Sequence, residues 1–145
     1  MEIETDYILL VEDNEDDMVL LKYALQEAGI RNPLHWVQTA ESAMNYLAGQ
    51  GEYADRIVFP VPRIIFVDLK LPGQSGHDLL KWINTRDELA GVVRIVLTGS
   101  NDPRDRRAAI QLGANSYLEK PLTPDQLTSP SRSLRMFFAS SIEPV

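Results

Sequence analysis

Ile64-Ile65-Phe66-Val67-Asp68 runs four bulky apolar residues without a break into one carboxylate, ahead of Leu69-Lys70-Leu71-Pro72-Gly73. A strand with one wet face alternates apolar and polar residues. An unbroken apolar run belongs instead to a strand covered on both faces, the situation in a parallel sheet flanked by helices. Ile8-Leu9-Leu10-Val11 repeats the pattern, and acids again follow at once, Glu12 and Asp13. Leu34-His35-Trp36-Val37, Val93-Arg94-Ile95-Val96-Leu97 and the shorter Ser116-Tyr117-Leu118 supply three further candidate strands.

Between these runs the apolar spacing turns helical. Leu21, Ala24, Leu25 and Ala28 share one helical face, with Asn14 as a cap and Gly29 as a stop. Ala40, Ala43, Met44 and Leu47 repeat that spacing after Thr39, and Ser75 can cap a helix containing Leu79, Leu80 and Ile83. Asp102-Pro103 opens a fourth helix, because proline suits the first helical position and aspartate accepts from free amides, and Gly113 closes it. The alternation predicts an α/β protein: a three-layer, doubly wound, five-stranded parallel sheet.

The last helix is less regular. Thr123-Pro124 and Ser129-Pro130 both read as helix starts. A helix begun at the first would carry Pro130 inside it, at a cost of about 3 kcal/mol or a kink. The expectation is a short turn first and the main helix after Pro130, with Leu134, Phe137 and Phe138 as its apolar stripe. Gly49 to Pro62 reads as a surface loop. The chain is expected to be one domain over 1–145, with a tail at 1–6 and a core at 7–141.

Composition narrows the function classes. No apolar run approaches the ~20 residues of a membrane helix, and the acidic Met1-Glu2-Ile3-Glu4-Thr5-Asp6 lacks the basic and apolar regions of a secretory signal. The absence of cysteine removes disulfides, thiolate nucleophiles and Cys-ligated zinc, and suits a cytoplasmic protein. A net charge of −7 argues against a phosphate-driven grip on DNA.

In open parallel sheets, chemistry gathers at the carboxyl ends of the strands. Glu12 and Asp13 follow the first strand, Asp68 the third and Lys120 the fifth, and Thr98 ends the fourth. Taken singly, each has a plainer explanation: acids after a strand cap the next helix, and a lone Thr or Lys there is structural or solvated. Their convergence on one mouth of the sheet is the informative feature. Crowded carboxylates need a cation or a proton, and oxygen-only donors favour Mg²⁺ or Mn²⁺. Such an ion could draw a phosphoryl donor against Asp68, while Lys120 and Thr98 meet other phosphate oxygens.

The segments Val11-Glu12-Asp13-Asn14, Asp68 to Gly73, Leu97-Thr98-Gly99-Ser100 and Leu112 to Pro121 resemble the receiver domains of two-component response regulators. The spacing matches as well, thirty residues from Asp68 to Thr98 and twenty-two more to Lys120. The Leu34 to Val37 and Gly113 to Tyr117 stretches look closest to small regulators partnered with phytochrome-type histidine kinases.

The resemblance implies a flavodoxin-like (βα)5 fold with strand order 2-1-3-4-5 and Asp68 as the phosphoacceptor. It implies Mg²⁺ held by Asp13, Asp68 and the backbone carbonyl of Lys70, with Glu12 acting through water. Thr98 and Tyr117 become the switch pair, Lys120-Pro121 carries a cis peptide, and Gly76 belongs to the loop after the acceptor. The implied partners are a histidine kinase, bacteriophytochrome-type in the narrower reading, and a downstream protein. A homodimer contact on the fourth- and fifth-helix face is a further candidate.

Lys70, two residues past the acceptor, stands where the family varies and is expected to influence phosphate lifetime. The same residue weighs against an aspartyl-phosphate-type phosphatase, which needs a second carboxylate there. A non-phosphorylated scaffold of the same fold is the other competing reading. A phosphoacceptor signalling domain, with no reaction beyond its own phosphorylation and dephosphorylation, is the one expected. His35, His77 and the mixed run Arg104-Asp105-Arg106-Arg107 read as structural or solvated, and Trp36 and Trp82 as core or interface filler.

Overall fold

The computed structural model describes residues 6–99 and 102–128. The strands are β1 (Ile8–Val11), β2 (Leu34–Val37), β3 (Ile64–Asp68), β4 (Val93–Thr98) and β5 (Ser116–Glu119). The helices are α1 (Glu15–Glu27), α2 (Ala40–Ala48), α3 (Gly76–Asn84), α4 (Pro103–Gln111) and α5 (Pro124–Thr128). All strand pairs are parallel, in the expected order β2-β1-β3-β4-β5.

The continuous apolar runs are buried at every position of β1 and β3, as a doubly covered sheet requires. The two-residue period of a strand then divides them between faces. Ile8, Leu10, Ile64 and Phe66 pack with Leu21 and Leu25 of α1 and Leu127 of α5. Leu9, Val11, Ile65 and Val67 pack on the opposite face with Leu47 of α2 and Leu79 and Ile83 of α3. A third cluster, Leu80, Val96, Ala109 and Tyr117, seats α4 at the β4–β5 end.

Side-chain caps start four helices where the sequence places them. Asn14, Thr39, Ser75 and Asp102 accept from the backbone N–H of Asp17, Ser42, Asp78 and Arg104 respectively. Each such cap contributes about 1 kcal/mol. Ser75 and Asp78 complete a reciprocal capping box.

The connection from Gly49 to Pro62 is more than a surface loop. It contains a 3₁₀ turn at Gly51–Tyr53. The Arg56 guanidinium donates to the carbonyls of Tyr46 (2.8 Å), Leu47 (2.7 Å) and Phe59 (2.9 Å), filling the acceptors at the end of α2. Tyr46 donates to the Pro60 carbonyl at 3.0 Å, and Tyr53 and Phe59 pack on Tyr46. Gly/Pro punctuation signalled a loop but could not show that its aromatic residues fold back onto α2.

Thr123-Pro124 does begin a short helix. The delayed helix after Pro130, its stripe of Leu134, Phe137 and Phe138, the 141 boundary and the tail at 1–5 lie outside the described residues. Among the described residues, no helix is long and apolar enough to cross a membrane.

Candidate functional site

Backbone hydrogen bonds carry the sheet one residue past its strand ends. Glu12 N–H donates to Val37 O (3.0 Å), Leu69 N–H to Leu97 O (3.2 Å) and Lys120 N–H to Thr98 O (2.7 Å). The strand ends are therefore held level, and the side chains of Glu12, Asp13, Asp68 and Lys120 meet at one mouth. Asp68 is the last residue of β3 rather than the first after it. Glu12, Asp68 and Thr98 are buried, whereas Asp13 is exposed.

Glu12, Asp13 and Asp68 each present an oxygen within 4.8 Å of the others. Two buried carboxylates and one reachable from solvent, without nitrogen or sulfur donors, suit a hard divalent cation that keeps open positions for other oxygens. Asp68 Oδ1 accepts from the backbone N–H of Lys70 at 3.1 Å, so the start of the following loop orients the carboxylate. The Lys70 side chain points outward and is exposed.

Lys120 supplies the positive charge. Its Nζ lies 2.7 Å from Glu12 Oε1, 2.9 Å from Asp17 Oδ2 and 3.0 Å from Asp68 Oδ2. Burial works against that charge, but the three carboxylates more than offset it and hold the ammonium above its ordinary range. Burial, reinforced by the charge of Asp68, pushes Glu12 up to about 7 despite the pull of Lys120. One cation among several carboxylates leaves the nest net anionic, so acid and base both tend to keep protons.

Thr98 and Tyr117 are joined. A side-chain hydrogen bond links them, Tyr117 is 7 % exposed, and burial raises its phenol above the usual range. The tyrosine ring is thus already inside in this structure. Arg106 lies 4.8 Å over that ring, so the basic stretch of α4 is not merely a solvated face.

Gly76 opens α3 directly against the site. A Cβ there would collide with the Asp68 carbonyl oxygen and press on Leu69 Cα at 2.8 Å. Its N–H donates to Leu69 O at 3.0 Å, closing the loop that follows Asp68. The Lys120-Pro121 peptide is cis, as expected.

Glu12, Asp13, Asp68 and Lys120 therefore meet, while the Thr98 side chain, at the end of the neighbouring strand, is bonded to Tyr117. Two contributors were not legible there. Asp17 reaches Lys120 across 103 positions of sequence; its one signal is its place in the acidic first turn of α1, just after the Glu12-Asp13 pair. Trp36 donates from Nε1 to the Glu12 carbonyl at 2.6 Å, so it braces the site rather than only filling core. His35 stacks on Tyr7 with ring centroids 5.2 Å apart and belongs to the aromatic packing behind the sheet.

Comparison with known proteins agrees with this geometry. The response regulator receiver domain family matches residues 8–131. The response regulator Rcp1 of Synechocystis is 31% identical over 135 residues, spanning 93% of this chain and 90% of that protein. A probable methanogenesis regulatory protein, FilR2 of Methanothrix harundinacea, is 34% identical over 123 residues, 83% of this chain and 75% of that one.

Among solved structures, the phosphorylated cyanobacterial phytochrome response regulator RcpA superposes with a TM-score of 0.77 at 30% identity, covering 95% of this chain and 96% of that one. The Mn²⁺-bound form of Rcp1 gives 0.76 at 31% identity, with 97% and 96% covered. Receiver domains bind Mg²⁺ in an acidic pocket and partner with histidine kinases. With that pocket, that strand order and those relatives, the chain belongs to the response regulator receiver family, whose function is phosphorelay signalling, and is homologous to the phytochrome response regulators.

Proposed function

We propose that Asp68 accepts a phosphoryl group from the phosphohistidine of a phytochrome-type histidine kinase in the cytoplasm, and that the phosphorylated domain signals to a separate protein. The observation that carries this reading is the seating of Asp68: Oδ1 on the Lys70 N–H at 3.1 Å, Oδ2 on Lys120 at 3.0 Å, within a three-carboxylate cluster. Asp13, Asp68 and the Lys70 carbonyl would hold Mg²⁺, with Glu12 acting through water. Bound there, the cation would offset the charge gathering on the phosphoryl oxygens.

The chain's own groups do the rest. An Asp68 carboxylate oxygen attacks phosphorus, a P–O bond forms as the P–N bond to the donor imidazole breaks, and the imidazole leaves to take up a proton. Lys120 transfers its donors from the carboxylate to a phosphoryl oxygen. The Thr98 hydroxyl donates to another oxygen and in doing so alters its bond with Tyr117. The added group carries nearly two negative charges, and a two-state surface around Tyr117, Arg106 and α4 reports its arrival. No reaction beyond the domain's own phosphorylation and dephosphorylation is assigned.

Incubation with acetyl phosphate and Mg²⁺, followed by intact mass, tests this. The expected result is one phosphoryl adduct, absent in Asp68→Asn. An unmodified wild-type chain would favour the scaffold reading. Turnover of a phosphate ester would favour a phosphatase.

A further inference from the structure

Lys120 has three N–H donors and meets three carboxylates, at 2.7 Å (Glu12), 2.9 Å (Asp17) and 3.0 Å (Asp68). Two of these, Glu12 and Asp68, also belong with Asp13 to the trio whose oxygens cluster within 4.8 Å. Asp17 does not belong to it. A cation in that cluster attracts the oxygens of Glu12 and Asp68 and repels the lysine ammonium. Esterification of Asp68 removes one more of the lysine's acceptors. Asp17 is the contact that survives both changes.

Asp17 is also well placed to persist. It lies in the first turn of α1, where the helix dipole favours a carboxylate, and its backbone N–H donates to Asn14 Oδ1 at 3.0 Å. Its side chain is 32% exposed against 16% for Lys120, so its charge is the less costly of the two to keep.

We infer that Asp17 is a positioning residue, a tether that keeps the Lys120 ammonium at the phosphoryl site when Glu12 and Asp68 are otherwise occupied. It acts through Lys120 and not on the reacting atoms. The inference rests on the phosphoacceptor reading above.

The experiment compares full-length wild type, Asp17→Asn and Asp17→Glu, each with acetyl phosphate at Mg²⁺ saturating for that variant, so that differences in metal affinity drop out. Asparagine keeps the side-chain volume and leaves the backbone bond to Asn14, and circular dichroism checks the fold. Phosphorylation of Asp17→Asn is expected to be roughly tenfold slower, the effect of losing one charge-assisted bond that orients a reacting partner. Asp17→Glu is expected to recover to within about threefold of wild type, since a carboxylate is restored.

A second readout is the ¹H–¹⁵N signal of the Lys120 ammonium in the Mg²⁺-saturated, unphosphorylated proteins, where the cation occupies Glu12 and Asp68. It is expected to be protected in wild type and Asp17→Glu, and broadened by exchange in Asp17→Asn. An Asp17→Asn variant as fast as wild type overturns the inference, as does a slow one whose lysine signal is unchanged, or an Asp17→Glu variant as slow as the asparagine. A wild-type chain that gains no phosphoryl group removes the phosphoacceptor reading and this inference with it. Normal wild-type phosphorylation with no Asp17 effect removes the tether alone.

Discussion

Lys70 combines two functions that a substitution can separate, because its backbone faces Asp68 and its side chain faces solvent. Lys70→Ala keeps the carbonyl proposed as a metal ligand, so Mg²⁺ affinity is expected to stay close to wild type. Losing the long side chain opens the mouth to water, and the acyl phosphate is expected to decay roughly threefold faster. Unchanged decay with weakened Mg²⁺ binding would contradict both assignments.

His35 makes a pH prediction. Burial holds its pKa below the usual value, against a hydrogen bond with the Val58 backbone, and Nε2 is buried without a hydrogen-bond partner among the described residues. As pH falls, the unfolded chain takes up this proton before the folded one, so stability is retained above the unfolded pKa and lost below it. Glu12, raised to about 7, works in the opposite direction in both proteins, so the effect is read as a difference. As pH falls below about 6.5 the wild-type urea midpoint is expected to decline relative to that of His35→Phe, which keeps the stack on Tyr7 but cannot titrate. Glu12, Asp13, Asp68, Thr98 and Lys120 were legible from the sequence because each sits at a strand end. Asp17 and Trp36 were not, because their partners are fixed by how a helix and a neighbouring strand pack.

At the level of elements, the entry to α3 is the tightest junction. The collision that a Cβ at Gly76 would make is with backbone, which cannot turn aside as a side-chain tip can. Gly76→Ala is expected to cost about 1–3 kcal/mol, read as a lower urea midpoint, and to disturb the loop that seats Asp68. A midpoint equal to wild type would mean that the loop yields freely. Helix starts at Asn14, Thr39, Ser75 and Asp102 were legible because capping is a local negotiation between one side chain and amides two or three residues away. The order within Gly49 to Pro62 was hidden, because Arg56 finds its acceptors only once α2 has ended and the chain has turned back.

For the whole molecule, the acidic mouth is where folding and function compete. Several carboxylates share one lysine, and burial already lifts Glu12 to about 7, so cation binding should relieve repulsion that the fold otherwise bears. Mg²⁺ at ten times its dissociation constant is expected to add about 1.4 kcal/mol to unfolding stability, and Asp13→Asn to lose most of that gain. Equal gains in both proteins, measured by thermal or urea unfolding, would remove Asp13 from the ligand set.

The sequence alone determined the class of sheet, the places where helices begin and the strand ends at which the acids, threonine and lysine stand, because hydrophobic periodicity and capping act over a few residues. Only the tertiary structure decided which carboxylates share Lys120, that Tyr117 is already bonded to Thr98, and that Gly76 must stay bare. Those facts depend on distances of a few ångströms between segments remote in sequence, and packing alone sets such distances.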